Sequence, residues 1–410
     1  MKNTTCTAPL PLFDTLADFR DGQRPDLSAL PTFCSVDYAH AHAFLTSYSH
    51  NAATFNAYRR EVERLLHWSW HLSQRSILTL KRAEIELYLH FCQHPPMTWI
   101  GLKKTPRFIN NHGIRIPNAD WRPFVVTLPK SQFKQGQQPK VKDYQLSEIA
   151  LKEIFAILSS FYNFLIQEEV ADINPIAHIR QKSRFLRKRQ GKTKIRRLSE
   201  LQWQYVIDTA KQLAQSDPEQ HERTLFMLSA LFLMYLRISE LAANERWTPM
   251  MNDFRRDHEG LWWFTVVGKG NKERDIAVSD AMLAALKRWR AHLGVSPLPS
   301  PADTTPLLPK RRGRGAMANT SFIRKIVQQC FDKTIERLQQ DGFTEDAATL
   351  AEATVHWLRH TGISEDVKIR PREHVRDDAG HSSGATTDKH IDIERRERHA
   401  SANQIMLHDD

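Results

Sequence analysis

The side chains best suited to chemistry lie in four short clusters in the second half of the chain. In chain order the clusters contain Arg237, Lys269, the pair His356 and Arg359, and His381. His356 and Arg359 are three residues apart, so a helix would place them on one face, where both can point at a single phosphate. A glycine-flanked lysine on a turn, such as Lys269, can reach into a DNA groove or donate a proton to a leaving oxygen. Each cluster alone also has an ordinary explanation, such as a local pair between Arg237 and Glu240.

The charge of the chain makes a polyanion the first partner to consider. The 410 residues carry a formal net charge of +11, and a basic chain most often binds nucleic acid and less often an acidic membrane surface. Residues 178–197, here called the basic segment, supply nearly all of this excess, because 48 basic residues face 47 acidic ones elsewhere. The segment has no acid and ten basic residues: Arg180, Lys182, Arg184, Arg187, Lys188, Arg189, Lys192, Lys194, Arg196 and Arg197.

The basic segment allows two interpretations. It is either a solvated linker between domains or a strap along a phosphate backbone, where each contact releases counterions. Both can hold at once, and we favour a linker that touches DNA.

Several classes of protein are excluded by composition. The longest apolar run, residues 225–236, is too short to span a bilayer, and no signal peptide is evident at the N-terminus, so we expect a cytoplasmic protein without membrane contact. The four cysteines are far apart and form no CxxC pair, which argues against a disulfide scaffold and a zinc site. No set of acidic residues suggests a two-metal nuclease, so we expect neither a metal nor a cofactor.

The periodicity of apolar residues predicts a mainly α-helical fold with a small β-hairpin or sheet, an α+β class. Helical spacing is found over residues 51–68, 81–93, 146–170, 198–213, 225–236, 281–293 and 321–340, and again from 356. Residues 261–267 and 274–278, separated by a glycine-containing turn, predict a hairpin. Residues 1–40 are expected to be an irregular arm, and 97–143 a basic, turn-forming insertion with a small strand at Val125–Val126.

Taken in order, the four clusters resemble the tyrosine recombinase (phage integrase) family. The strongest matches are residues 236–241, 268–274, 356–361 and 380–387, and the resemblance extends over residues 40–405. It implies a helical core-binding domain over 41–177, the basic linker over 178–197, and a catalytic-type domain with a C-terminal tail over 198–410. A clamp around double-stranded DNA and assembly on DNA as a tetramer are also implied.

The chemistry of the clusters agrees with this resemblance. Attack on a DNA phosphodiester builds negative charge on the non-bridging oxygens, which Arg237 and Arg359 can clamp. His356 and His381 can donate hydrogen bonds or move protons near neutral pH. Lys269 can protonate the departing 5′ oxygen as a general acid.

One position departs from the family pattern. The family has a nucleophilic tyrosine nine residues after the Gly-His histidine, whereas this chain has His390 there, and its last tyrosine is Tyr235. Three explanations compete. Cleavage has been lost while DNA binding is kept, His390 itself attacks to give a phosphoramidate, or the residue is a substitution in an otherwise active enzyme.

The expected function is site-specific DNA recombination or integration by metal-independent breaking and rejoining, with His390 at the nucleophile position. The alternative is a cleavage-deficient, integrase-like protein that binds or regulates DNA, and an RNA-binding protein is a weaker one. The segment after His390 is either a docking element for a neighbouring subunit or an intramolecular cap.

Overall fold

The computed structural model describes residues 7–19, 25–134, 136–182, 196–245, 247–268 and 271–381, without the side chains of 131, 134 and 180–182. The chain divides into two compact units, Met1–Gly191 and Lys192–Asp410. The boundary between them falls inside the basic segment. Each unit has its own apolar core, and the two are described separately below.

The first unit is a helical bundle. Its helices are α1 (Leu16–Phe19), α2 (Thr32–Ser47), α3 (Ala52–Trp68), α4 (Arg82–Gln93), α5 (Lys130–Lys134), α6 (Glu148–Gln167) and α7 (Pro175–Lys182). The predicted helices at 51–68, 81–93 and 146–170 are therefore present, with Asn51 and Ser147 accepting hydrogen bonds at the starts of α3 and α6. The buried faces of α2, α3 and α6 pack together and form the core of this unit.

The N-terminal part differs from the irregular arm expected over residues 1–40. Helix α2 begins at Thr32, and Phe13 and Phe19 pack into the core of the first unit. Asp14 is buried as well and binds Arg115 through both carboxylate oxygens. Alanines and histidines interleaved in α2 dilute its apolar periodicity, so the sequence pattern does not reveal the helix.

The insertion at 97–143 contains two small sheets. Strands β2 (Phe108–Asn111) and β3 (Ile114–Pro117) form an antiparallel hairpin, and β1 (Ile100–Gly101) pairs in parallel with β4 (Phe124–Val125). The small strand predicted at Val125–Val126 is thus present one residue earlier. Arg64 of α3 donates to the carbonyl oxygen of Pro123 and lies over the ring of Phe124, which fastens the insertion to the bundle.

One described helix, α6, is long and apolar enough to cross a membrane by length and composition alone. Its Leu158, Phe161 and Leu165 are fully buried in the core of the first unit. The apolar character of α6 is thus accounted for by core packing.

The second unit is built around one buried helix. Its helices are α8 (Glu200–Ser216), α9 (Pro218–Leu233), α10 (Ile238–Leu241), α11 (Asp280–His292), α12 (Thr320–Gln340), α13 (Thr344–Ala351), α14 (Val355–Asp366) and α15 (Arg372–Ala379). Helix α9 contacts α8, α11, α12 and α14. It begins seven residues before the predicted apolar run, because Asp217 caps it and Pro218 suits its first turn.

A three-stranded antiparallel sheet flanks these helices. Strands β5 (Phe254–Arg256), β6 (Trp262–Val267) and β7 (Glu273–Ala277) follow one another, and the β6–β7 pair runs from Trp263 opposite Ala277 to Val267 opposite Glu273. This is the predicted hairpin with one additional strand. Because β7 also contacts α15, the sheet links the hairpin to the C-terminal end of the described chain.

Helix α14 approaches the end of α9 very closely, and a glycine makes this possible. A Cβ atom on Gly362 would lie 2.1 Å from the carbonyl oxygen of Phe232. Glycine is therefore required at 362 by packing, because the neighbouring atom is backbone and cannot rotate away. The approach sets the position of His356 and Arg359, which are on the same helix.

We predict that Gly362→Ala destabilises the second unit by more than about 3 kcal/mol, since α14 must move away from α9. Chemical denaturation followed by circular dichroism measures this. The matched control is Gly294→Ala, where φ is +69° but nothing lies within 4 Å of the added Cβ, and only backbone strain of about 1–2 kcal/mol is expected. Equal losses in both variants would show that close packing at Gly362 is not required.

Candidate functional site

Arg237 lies where the chain leaves α9. Tyr235 has φ +49°, a left-handed conformation that turns the chain, and Arg237 then precedes α10. The backbone N–H of Arg237 donates to Glu240 at 2.9 Å, and its Nη1 donates to the same carboxylate at 2.7 Å. The local pair considered in the sequence is thus present. It is not the whole environment, because Nη2 of Arg237 also donates to the carbonyl oxygen of Gly380 at 3.3 Å.

Arg359 is held inside the protein by three acceptors. Its side chain projects from α14, and the residue is only 2% exposed. Nη1 donates to the carbonyl oxygen of Tyr235, and Nη2 donates to that of Ala379 at 2.5 Å. Nη2 also lies 3.1 Å from Nε2 of His381. Burial and the positive charge of Arg237 lower the pKa of Arg359 to about 9.

The two arginines therefore meet at one place. They bind the consecutive carbonyl oxygens of Ala379 and Gly380, at the C-terminal end of α15. This end carries a partial negative charge, which favours guanidinium groups. Gly380 has φ +62°, and a Cβ there would lie 2.8 Å from Cδ of Arg274, so glycine fits both the helix end and the close contact.

A buried carboxylate joins these elements. Glu240 is 2% exposed and accepts hydrogen bonds from Arg237 and from both terminal nitrogens of Arg274, at 3.0 and 2.9 Å. Burial alone would raise the pKa of Glu240, but the hydrogen bonds and charges of Arg274 and Arg237 leave it below its ordinary value. Arg274, on β7, donates from Nε to the carbonyl oxygen of Asp378 at 2.9 Å, which ties the hairpin to α15.

The two histidines have different environments. His381 is partly buried, and since a guanidinium can only donate, its Nε2 accepts from Arg359 and the neutral ring carries its proton on Nδ1. His356 is exposed at the surface of α14 and lies edge-on to His360, with ring centroids 4.4 Å apart. Loss of hydration and the charges of Arg359, Arg237 and Arg196 lower the pKa of His356.

The site as a whole is positively charged, and its chemistry suits an anion. Arg237 and Arg274 both bind the carboxylate of Glu240, and Arg359 adds a third positive charge through the neighbouring carbonyl of Ala379. A guanidinium has five N–H donors, and the described contacts use two on Arg237 and three on Arg359. Donors therefore remain on both arginines, and the side chain of Arg237 is 31% exposed to solvent. Among the described residues no group of three or more His, Cys, Asp and Glu side chains could hold a metal ion.

The hydroxyl groups of the two tyrosines in the second unit are hydrogen-bonded to residues outside the candidate site. The hydroxyl of Tyr235 donates to Asp366 and accepts from Arg370 at 3.1 Å, and burial followed by the charge of Asp366 raises its pKa. The hydroxyl of Tyr205 donates to Asp341 at 2.7 Å. All other tyrosines belong to residues 1–191. Because the hydroxyl groups of Tyr235 and Tyr205 are both hydrogen-bonded to carboxylates, neither phenol of the second unit is available as a nucleophile.

Several of the expected site residues lie outside the described residues. These are Lys269, His390 and the tail that follows it, and residues 183–195 of the basic segment, while of Arg180 and Lys182 only the backbone is described. Arg196, near the end of this segment, acts electrostatically on His356. The backbone N–H of Leu198 donates to Thr361 at 2.9 Å, so the segment joins the second unit beside α14.

Sequence reasoning missed the residues that hold the site together. Glu240 entered only as a local partner of Arg237, and Arg274 only as part of the hairpin motif. The i, i+3 spacing of Arg237 and Glu240 was the available signal for the first. Nothing in the sequence pairs Arg274 with Glu240, 34 residues away, or Arg370, just before α15, with Asp378 in the last turn of that helix.

Comparison with known proteins points to one family. No protein-family model matches the chain. The chain is 24% identical over 221 residues to tyrosine recombinase XerD of Oceanobacillus iheyensis, covering 54% of this chain and 63% of the relative. It is 30% identical over 136 residues to tyrosine recombinase XerD of Rickettsia bellii, covering 32% and 40%. The matches thus span less than two thirds of either relative.

The fold is similar to that of a solved recombinase. The post-cleavage complex of the XerH site-specific recombinase with its palindromic difH substrate aligns with a TM-score of 0.56 and 14% identity, over 90% of this chain and 87% of that one. The helical bundle, the helical second unit and the short antiparallel sheet are those of an integrase-type fold. The chain is thus similar to tyrosine recombinases in part of its sequence and in its fold.

We predict that Glu240→Gln destabilises the second unit by about 3–5 kcal/mol, because it leaves Arg274 and Arg237 without their buried countercharge. Urea denaturation followed by circular dichroism measures the loss. The control is Glu336→Gln, which breaks an exposed pair with Lys333 and should cost less than about 1 kcal/mol. A loss below that of the control would mean that Glu240 does not organise the site.

Proposed function

We propose that the chain is a site-specific recombinase that acts on double-stranded DNA and holds the scissile phosphate between Arg237 and Arg359. The observation that carries this proposal is the meeting of the two guanidiniums on the consecutive carbonyls of Ala379 and Gly380. Two arginines with unused donors at one point can clamp two non-bridging oxygens of the same phosphate. Matches to curated tyrosine recombinases support the reaction class.

The charge balance of the site supports phosphate as its ligand. The described contacts place the carboxylate of Glu240 against Arg237 and Arg274, and burial followed by the positive charge of Arg237 lowers the pKa of Arg359. A phosphodiester would supply a further negative charge, and the additional charge of its transition state would be stabilised further. His356 and His381 add hydrogen-bonding groups beside Arg237 and Arg359. These four side chains are here called the phosphate cage, or the cage.

In the proposed reaction a nucleophile attacks phosphorus, and the bond to the 5′ oxygen breaks. Lys269, assigned by family resemblance, would donate the proton that the departing 5′ oxygen takes up. The covalent intermediate conserves the energy of the phosphodiester, so rejoining needs no external energy source. Assembly on DNA, as a tetramer by resemblance, and action in the cytoplasm belong to the same proposal.

The nucleophile decides between two functions. Position 390 holds a histidine, and both tyrosines of the second unit have engaged hydroxyl groups. This observation favours the second candidate, a cleavage-deficient protein that binds or regulates DNA through the same cage. In both candidates the cage binds the phosphate, and they differ only in whether a covalent bond forms.

We predict that His390→Tyr forms more covalent adduct with DNA than the parent chain, because the phenol supplies the nucleophile that the family pattern expects. An adduct with the parent favours the recombinase, and its absence favours the cleavage-deficient protein. Duplexes are first selected from a random library by binding to the full chain and are then rebuilt as nicked suicide substrates. Covalent adducts are counted on denaturing gels.

The matched control is His390→Phe, which has the ring of tyrosine without its hydroxyl and should form no adduct. An acid-labile adduct with the parent would instead show attack by His390, since a phosphoramidate hydrolyses in acid. Adduct formation by neither the parent nor His390→Tyr would contradict the catalytic assignment. Failure to select any duplex would contradict DNA binding itself.

We also predict that DNA binding takes up a proton at His356. In the free protein its pKa lies below the ordinary value, and a bound phosphate would raise that pKa by offsetting the charges of Arg359 and Arg237. Affinity should therefore increase as the pH falls through the pKa of the complex. Dissociation constants measured across this pH range should show a shallower pH dependence for His356→Gln. Identical slopes would place His356 away from the phosphate.

A further inference from the structure

A second basic surface lies on the second unit, at the start of α12. Residues 310–331 contain six basic side chains and no acid. The six are Lys310, Arg311, Arg312, Arg314, Arg324 and Lys325, and all are exposed. This surface contains no residue of the phosphate cage.

Four of these cations project from a short, firmly anchored loop, residues 309–316, here called the basic hairpin. Pro309 and Ala316 pair across its base, and the N–H of Lys310 donates to the carbonyl oxygen of Gly315 at 2.9 Å. The flanking residues Leu308 and Met317 are buried and joined by a backbone hydrogen bond of 2.8 Å. The hairpin is thus continuous with the core.

A helix next to the hairpin also holds it in place. Arg223 of α9 is 9% exposed and donates from Nη1 to the carbonyl oxygen of Pro309 at 2.6 Å. Burial and then the charge of Arg311 lower the pKa of Arg223. The positive charge of Arg311 thus acts on the buried guanidinium of Arg223.

The tip of the hairpin is narrow. Gly313 has φ +82° and Gly315 has φ +93°, conformations that suit glycine, and nothing lies within 4 Å of a Cβ built on either. Arg312 and Arg314 flank Gly313, so two long cationic side chains border a tip that has no side chain. Within the described residues none of the four hairpin cations forms an ion pair with a carboxylate.

We propose that the basic hairpin inserts Arg312 and Arg314 into the minor groove of DNA and favours A·T-rich duplex. This inference rests on the proposed function, since it assumes that DNA is the ligand, and adds a contact outside the phosphate cage. The minor groove of B-DNA is about 6 Å wide, and A·T-rich tracts narrow it and strengthen its negative potential, which attracts arginine.

A minor-groove contact accounts for the composition of the tip better than a contact to phosphates alone. Phosphates accept hydrogen bonds from lysine as well as from arginine, so a phosphate contact does not by itself require two arginines at the tip. A guanidinium is planar and more weakly hydrated than an ammonium group, so it enters a narrow groove at lower cost. The glycine between the two arginines lets the backbone approach the groove edge.

The test uses the full chain and three duplexes of equal length, composed of A·T, G·C or inosine·cytosine pairs. An inosine·cytosine pair lacks the minor-groove amino group of guanine but keeps the major-groove pattern of G·C. We expect the parent to bind the A·T and inosine·cytosine duplexes more tightly than the G·C duplex. Arg312→Ala/Arg314→Ala should lose affinity for those two on the order of tenfold and bind G·C nearly unchanged.

The charge-matched control is Arg312→Lys/Arg314→Lys, which should lose the preference while keeping the salt dependence of binding. Because these side chains are exposed, all variants should melt at the parent's temperature. A lysine variant that keeps the parent's preference would show that the hairpin contacts only phosphates, which would overturn the inference. An unchanged preference in the alanine variant would overturn it too and leave DNA binding intact, whereas a parent that binds no duplex would sink both proposals.

Discussion

The candidate site depends on one buried carboxylate. Glu240 has almost no contact with solvent, and it satisfies its charge through Arg237 and Arg274. Breaking such a pair leaves an uncompensated buried charge, so the three side chains must be present together. Through Arg274 the carboxylate fixes β7 against α15, and through Arg237 it fixes the end of α9. Three segments distant in sequence thus take their relative positions from one anion.

The elements that sequence reasoning could predict are those with a long, repeated apolar face. Helices α3, α6 and α12 are of this kind, because each buries a stripe at helical spacing. Helix α15 has eight residues, mostly charged, and buries only Val375, Asp378 and Ala379. It is stabilised by the turn at Gly380 and by bonds from Arg274 and Arg370. Those contacts are tertiary, so no local pattern predicts the helix.

The residues of the candidate site likewise divide into those that a local motif predicts and those that only tertiary contacts reveal. Arg237, Arg359 and His381 could be singled out because a motif gives each a residue type and an order along the chain. Their supporting contacts could not, because Arg274 meets Glu240 only once the hairpin and α10 have folded together. The buried Tyr235 carbonyl that accepts from Arg359 likewise follows from a left-handed backbone turn rather than from a side chain. The motifs thus predict the side chains proposed to bind a ligand, whereas the groups that hold those side chains in place can be found only from the folded structure.

The structural contacts of Arg237 and Arg359 bear on whether their presence is evidence for DNA cleavage. It is tempting to read an intact set of Arg237, Arg359 and His381 as a sign that the enzyme still cuts DNA. Yet Arg359 satisfies two buried carbonyls, and Arg237 satisfies the buried Glu240. Losing Arg359 would leave its two carbonyl acceptors without that donor, and losing Arg237 would remove one of the two countercharges of Glu240, which Arg274 would still bind. Both losses would cost folding free energy independently of any reaction. The two guanidiniums thus stabilise the fold as well as offering donors to a ligand, so their presence is consistent with both candidate functions. The residue at 390 is where the two candidates differ.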